Sequence, residues 1–248
     1  MSLGAGRLGF RYNRPPDRGY KKNVLVFYDP LTDGPGGNTN YYNTSQDLKP
    51  ATDIYPIIQA RASFLGSTIT LVESYADLNN LDLFQFSQIW DIGYASPYLS
   101  NPSDPTNKLY GYLQSGGAMF ILGENSNFGV RDDAVDIFVT GIGGGNIVRS
   151  STQYSYSAEV TVQPEFLLSN ASNSIVFGRP GTFSSLGSGT AITTAFVSSE
   201  YVAAMWKTGS LSGAPSGAIV SVLDINFFVG FNQNLPFIDN LILSLNRK

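Results

Sequence analysis

Cysteine and histidine are both absent from the 248 residues of this chain. Without thiols there is no disulfide framework and no thiolate nucleophile, and without imidazole there is no histidine general base. The same two absences exclude ordinary zinc sites and leave only cations that accept oxygen ligands. No metal site and no catalytic residue is assigned on this basis, and no cofactor is expected. Long apolar runs are missing too. No stretch approaches the roughly 20 residues of a membrane-spanning helix, and the segment from Met1 to Arg7 lacks a signal-peptide core. No membrane span is therefore expected.

Basic residues are scarce over most of the chain. Six of the 15 lysines and arginines fall in residues 1–22 (Arg7, Arg11, Arg14, Arg18, Lys21, Lys22), where Asp17 is the single acid. The rest carries 18 acids against nine bases. Phosphate contacts need clustered cations, so an acidic body argues against nucleic acid as a partner. Residues 1–22 read as a flexible basic arm and residues 23–248 as a single domain, within which 146–217 is β-rich.

What is present is an alternation of short apolar runs with helical segments. Asn23 to Tyr28 reads as a strand buried on both faces. A Gly-, Asn- and Thr-rich loop follows, with Tyr41 and Tyr42 in it. A helix is expected from Asp53 to Leu65, capped by Thr52 and stopped by Gly66. Further strands are expected at Thr68–Val72, Gln88–Gly93, Ala118–Leu122 and Ala218–Leu223. Helices are expected at Thr106–Ser115, from about Arg131 to Ile142, and at Leu235–Leu245. Within the β-rich part, Ile175–Phe177, Ala191–Val197 and Tyr201–Trp206 read as antiparallel strands. Strands alternating with helices imply parallel βαβ units. The fold class expected is α/β: a flavodoxin-like, three-layer, doubly wound and mostly parallel sheet carrying a β-rich antiparallel insertion in its second half.

Two stretches resemble the class I glutamine-amidotransferase-like superfamily. One runs from Asp82 to Gly129, through Ile89-Trp90-Asp91-Ile92-Gly93, Gly116-Gly117 and the strand entering Gly123-Glu124-Asn125. The other runs from Tyr201 to Leu245, through Met205-Trp206-Lys207, the strand ending at Leu223, then Asp224 and Asn226. The ending is similar to non-catalytic members in gliding-motility and transport-associated proteins and in glycosidase accessory domains. The resemblance implies a strand-to-helix elbow at Gly123-Glu124-Asn125. Active relatives carry a cysteine there, served by a histidine. Here the position holds Glu124 or Asn125, which excludes glutamine hydrolysis by that route.

In open α/β sheets ligands bind beyond the carboxyl ends of the strands. Those ends supply Asp29, Tyr94, Glu124, Asn125, Asp224 and Asn226, and the loop after the first strand adds Asp33. Asp91, inside its strand, can face either the core edge or a helix layer. Converging carboxylates suit sugar hydroxyls, a hard cation or an acid/base pair. Asp and Asn after strands equally suit capping of the next turn. Tyr94, Tyr98, Tyr110, Tyr112, Tyr154 and Tyr156 lie in or beside polar segments, as sugar-stacking or interface tyrosines do.

Three functions fit these residues. The first is a catalytically degenerate binding or assembly module for carbohydrate or a protein partner. The second is a carbohydrate-active hydrolase or accessory domain using Glu124 with Asp29 or Asp224. The third is a structural subunit of a virion or surface assembly, docked through the basic arm. The Gly-, Asn-, Ser- and Tyr-rich composition leans toward an extracellular, envelope or virion setting. Oligomeric state is not encoded in any recognisable motif.

Overall fold

The computed structural model describes residues 23–29, 49–95, 98–100, 104–166, 173–229 and 232–245. Asp33, Tyr41, Tyr42 and the basic arm lie outside them. In chain order the strands are β1 (Asn23–Phe27), β2 (Thr68–Val72), β3 (Gln88–Asp91), β4 (Ala118–Gly123), β5 (Ile147–Arg149) and β6 (Ser157–Thr161). They continue with β7 (Ser174–Gly178), β8 (Phe183–Leu186), β9 (Thr190–Ala191), β10 (Ala203–Trp206) and β11 (Ala218–Leu223). The helices are α1 (Tyr55–Phe64), α2 (Tyr75–Asn80), α3 (Asp104–Gln114), α4 (Gly129–Gly141) and α5 (Leu235–Leu245).

The main sheet has seven strands in the order β2-β1-β3-β4-β11-β10-β9. The first five are parallel, while β10 and β9 add antiparallel pairs at one edge. Five parallel strands in this order follow the flavodoxin-like pattern, whose topological switch lies between β1 and β3. Side chains alternate across the sheet as the pleat requires. Val24, Val26, Phe120, Leu122, Val220 and Val222 face one apolar layer with α1 and α5. Leu25, Phe27, Met119, Ile121, Ile219 and Leu223 face the other, with α2, α3 and α4. Both faces are covered, which is why β1, β4 and β11 read as continuous apolar runs. Among the described residues no helix is long and apolar enough to cross a membrane.

Strands β5 to β8, between Ile147 and Leu186, form two small ribbons beside the main sheet, while β9 and β10 join its edge. The β5–β8 ribbon sends Ile147 and Phe183 into the layer of α2, α3 and α4. The β6–β7 ribbon sends Val160, Ile175 and Phe177 into the layer of α1 and α5. The insertion therefore clamps both faces of the sheet.

Several expectations need correction. A π-helical turn, Pro50–Ile54, precedes α1, and Thr52 lies inside it instead of capping a helix. Pro56 has no N–H to give the Thr52 carbonyl, and the turn widens so that Tyr55 N–H reaches Pro50 O. The Asp53 carboxylate reaches back to Lys49 N–H at 2.6 Å. The third strand stops at Asp91, two residues short of Gly93. Only Thr190 and Ala191 of the stretch around Ala191–Val197 join the sheet. Tyr94, Tyr112 and Tyr154 are buried, while Tyr156 is exposed and stacked on Phe196.

Candidate functional site

The candidate site lies where β4 and β11 end side by side, with Gly123 paired to Leu223. Glu124 and Asp224 follow directly, and both are buried. Glu124 Oε2 accepts the Ile225 N–H at 2.6 Å, and Oε1 accepts from Asn125 Nδ2 at 2.7 Å. The Glu124 N–H itself donates to Asp132 Oδ1 of α4 at 2.9 Å. Asp224 Oδ2 accepts the Gly178 N–H at 2.6 Å, and Oδ1 accepts the Asn226 N–H at 2.9 Å. Asn226 completes the exchange by donating from Nδ2 to Gly178 O at 2.8 Å. Asn125 Oδ1 accepts the Asn127 N–H at 3.0 Å and so caps the short turn before α4.

These contacts bind the insertion to the strand ends. Gly178-Arg179-Pro180-Gly181, the link between β7 and β8, lies across β4 and β11 as a strap. Gly181 N–H donates to Leu223 O at 2.8 Å. A Cβ on Gly181 would sit 2.3 Å from Glu124 O, so only glycine permits this approach. Arg179 is exposed and held at φ 63°, the left-handed region that non-glycine residues rarely occupy. Asn234 secures the strap's approach strand: it accepts the Val176 N–H at 2.9 Å and donates to Val176 O at 2.8 Å, as a neighbouring strand would.

Burial raises the titration of the Glu124 carboxyl well above the ordinary range, and the neighbouring Asp224 charge raises it further. The hydrogen bonds from Ile225 and Asn125 pull the other way without cancelling that rise. Asp224 is raised by burial as well. Asp132 is pushed up to about 8 by burial, although Arg149 faces it at 3.2 Å.

The remaining expected residues are distributed around this point. Asp29 is partly buried at the end of β1. With strands spaced about 4.8 Å apart, β1 lies about 10 Å from β4 and about 14 Å from β11. Asp29 thus belongs to a different part of the strand-end face from the Glu124–Asp224 pair. Tyr94 packs edge-on against Phe128 at 5.5 Å. Asp91 faces α4: its Oδ2 lies 2.9 Å from Arg131 Nη2, and its Oδ1 accepts from Tyr98 at 2.6 Å. Arg131 also donates from Nε and Nη2 to Leu122 O, at 2.9 and 2.7 Å.

Arg131, Asp132, Gly181 and Asn234 were not singled out as candidates from the sequence. For Arg131 a signal existed, since Phe128, Ala134 and Val135 fall beside it on the helical period, whereas Asp132 stands in a run of three charged residues that reads as solvated. For Gly181 and Asn234 there was none, because their partners are remote in the chain. Among the described residues, no group of three or more carboxylates is placed to hold a metal ion.

No protein-family model matches the chain, and no curated protein matches its sequence. Solved structures do. The mmIFT52 N-terminal domain is similar with a TM-score of 0.62 and 14% identity, covering 91% of this chain and 98% of that one. The exo-beta-1,4-mannosidase Op5Man5 from Opitutaceae bacterium strain TAV5 has a TM-score of 0.50 and 10% identity. That match covers 82% of this chain and only 31% of the mannosidase. A putative ThuA-like protein from Bacteroides uniformis ATCC 8492 has a TM-score of 0.46 and 12% identity, over 93% and 94% of the two chains. At such identities the likeness to the first two extends to the fold alone. The class established is an α/β domain with a mostly parallel sheet and small antiparallel ribbons.

Proposed function

We propose that this chain is a catalytically inert, amidotransferase-like α/β domain that serves as a binding or assembly module for a protein partner. One observation carries the reading. The strand-end carboxylates, which an acid/base or sugar-binding site would present to a ligand, are buried and spent on Ile225, Gly178 and Asn226 N–H groups. The absence of cysteine and histidine removes the nucleophile and base of the amidotransferase route. Two comparisons fit a modular role: one similar structure is an N-terminal domain, and the other matches over less than a third of its own length.

The Glu124–Asp224 pair also favours a second reading. The backbones that carry them are adjacent strands, about 4.8 Å apart, a spacing compatible with the carboxyl pair of a retaining glycosidase at about 5 Å. That reading requires the strap to leave the strand ends. The test is turnover of aryl glycosides by the wild type, Glu124→Gln and Asp224→Asn. Equal background rates in all three support the inert module. Wild-type turnover abolished by either substitution would overturn it. Cross-linking mass spectrometry of the chain with proteins encoded beside it tests the protein-partner part. Reproducible cross-links on one face support that part, and capture of glycan alone counts against it.

A further inference from the structure

The two edges of the main sheet are unlike. One ends in β9, which has only two residues, Thr190 and Ala191. The other is β2, five residues long and in unbroken register with β1. Long open edges invite pairing, and proteins blunt them with charge, proline, a bulge or brevity. Thr68-Ile69-Thr70-Leu71-Val72 carries no charge, no proline and no bulge. Among the described residues no strand lies on its outer side.

The ladder fixes which backbone groups of β2 are open. Tyr28 N–H donates to Val72 O at 3.3 Å, so the backbone groups of Val72 point at β1. Successive residues alternate sides, which turns Thr70 and Thr68 the same way and leaves the N–H and C=O of Ile69 and Leu71 pointing outward. Side chains alternate as well. Ile69 and Leu71 pack against the layer of α1 and α5, while Thr68 and Thr70 are exposed on the other face. Beside the edge, α1 turns Arg61 toward Asp239 of α5. Gln59 and Ser63, on the opposite side of that helix, are exposed and uncharged. Charges stand at the two ends of the strand. Asn23, paired with Thr68, directly follows Lys21 and Lys22, whereas Val72 leads into the exposed Glu73 and then Asp77.

We propose that β2 is a self-docking edge: it pairs antiparallel with β2 of a second copy about a two-fold axis at Thr70, joining the two main sheets into one. In this register Ile69 and Leu71 of each copy exchange N–H···O bonds with Leu71 and Ile69 of the other, and Thr70 faces Thr70. Threonine pairs are favourable cross-strand neighbours. Charge selects the antiparallel direction. It sets the lysine end of each strand against the Glu73 end of the other, where a parallel partner would set like ends together. One strand supplies both halves of the match, as a two-fold interface requires. The inference goes beyond the binding-module reading, because it needs no other protein.

The chain has no cysteine, so a single introduced thiol reports the register. In Thr70→Cys the two thiols meet at the axis, on a non-hydrogen-bonded pair with Cα atoms about 4.5 Å apart, a distance that a disulfide spans. Mild oxidation of the full chain should link this variant into one dimer at least about tenfold faster than Thr208→Cys, whose exposed position lies in the turn after β10. Sedimentation at about 100 μM should show the wild type as a dimer exchanging with monomer. Ile69→Pro removes an outward N–H from each copy and none from the β1 ladder, and should raise the dissociation constant at least about tenfold. Should that variant fail to fold, Thr70→Lys takes its place, since it sets two like charges face to face. No readout here involves another protein, so failure leaves the binding-module reading untouched. A dimer that the edge variants leave intact would overturn the proposal, as would Thr70→Cys linking no faster than Thr208→Cys. A wild type that stays monomeric refutes it too, and leaves the edge to an unlike strand.

Discussion

The parallel half of the molecule and its β-rich insertion are held by different forces. Strands β1, β3 and β4 bury apolar side chains on both faces, and helices cover those faces in turn. The insertion has exposed and half-buried positions through β6 and β8. Side-chain amides and carboxyls stitch it down, Asn234 on Val176 and Asp224 and Asn226 on Gly178, while Glu200 ties Tyr154 and Thr182 together within it. Burial of area is non-directional and tolerant, whereas a hydrogen-bonded stitch fails when one atom is removed. The first half should thus resist substitution by degrees and unfold as a unit. The second should be able to detach locally.

Phe120→Ala probes the first half most severely. Phe120 is fully buried in the middle of β4, stacked on Trp90 at 4.5 Å and edge-on to Phe228 at 5.7 Å. Removing it should cost about 3–5 kcal/mol in global stability, read by denaturant unfolding. The loss should appear as a single transition with an unchanged m-value. A partial transition sparing the sheet would contradict a cooperative core.

Asn234→Ala is the matching probe of the insertion. It deprives Val176 N–H, Val176 O and Phe227 O of their partner at once. A cost of about 1–3 kcal/mol is expected. It should appear as faster exchange in β7 with β4 untouched. Equal loosening of β4 would mean that the two regions form one cooperative unit, and the contrast between them would collapse.

How far each region could be read in the sequence follows the same division. Thr68–Val72, Ala218–Leu223 and Leu235–Leu245 appear in the structure at the expected bounds, because burial on a β or helical period leaves its mark in local sequence. Strands β5, β6 and β8 left no such mark. Ser157-Ala158-Glu159-Val160-Thr161 buries one side chain in five, and its partner strand lies beyond an intervening loop. The strand-end rule did bring Glu124, Asn125, Asp224 and Asn226 to one place. It could not show that the insertion would occupy that place, since Gly178 lies 46 residues before Asp224 and the contact is a backbone N–H. The strand-to-helix turn itself is present, since β4 runs through Gly123-Glu124-Asn125 into the turn before α4. Glu124 does not have the positive φ seen at Arg179 and Ser198, so the Gly123-Glu124-Asn125 turn lacks that form of backbone strain.

Arg179 offers the smallest effect and the finest discrimination. Its left-handed backbone costs a non-glycine residue about 1–2 kcal/mol, and glycine relieves that cost while losing about 0.5–1 kcal/mol more chain entropy on folding. Arg179→Gly should therefore raise stability by about 0.5 kcal/mol, provided the side chain does no work in holding the strap. The bond from the residue 179 N–H to Tyr156 O, 3.1 Å long, survives this change because it needs only backbone. Arg179→Ala keeps the strain and removes the guanidinium, so it should leave the melting temperature nearly unchanged. If Arg179→Gly instead lowers the melting temperature and Arg179→Ala lowers it equally, the arginine side chain is itself a stitch. The insertion would then be fastened by a charge at its exposed tip as well as by the buried carboxyls beneath.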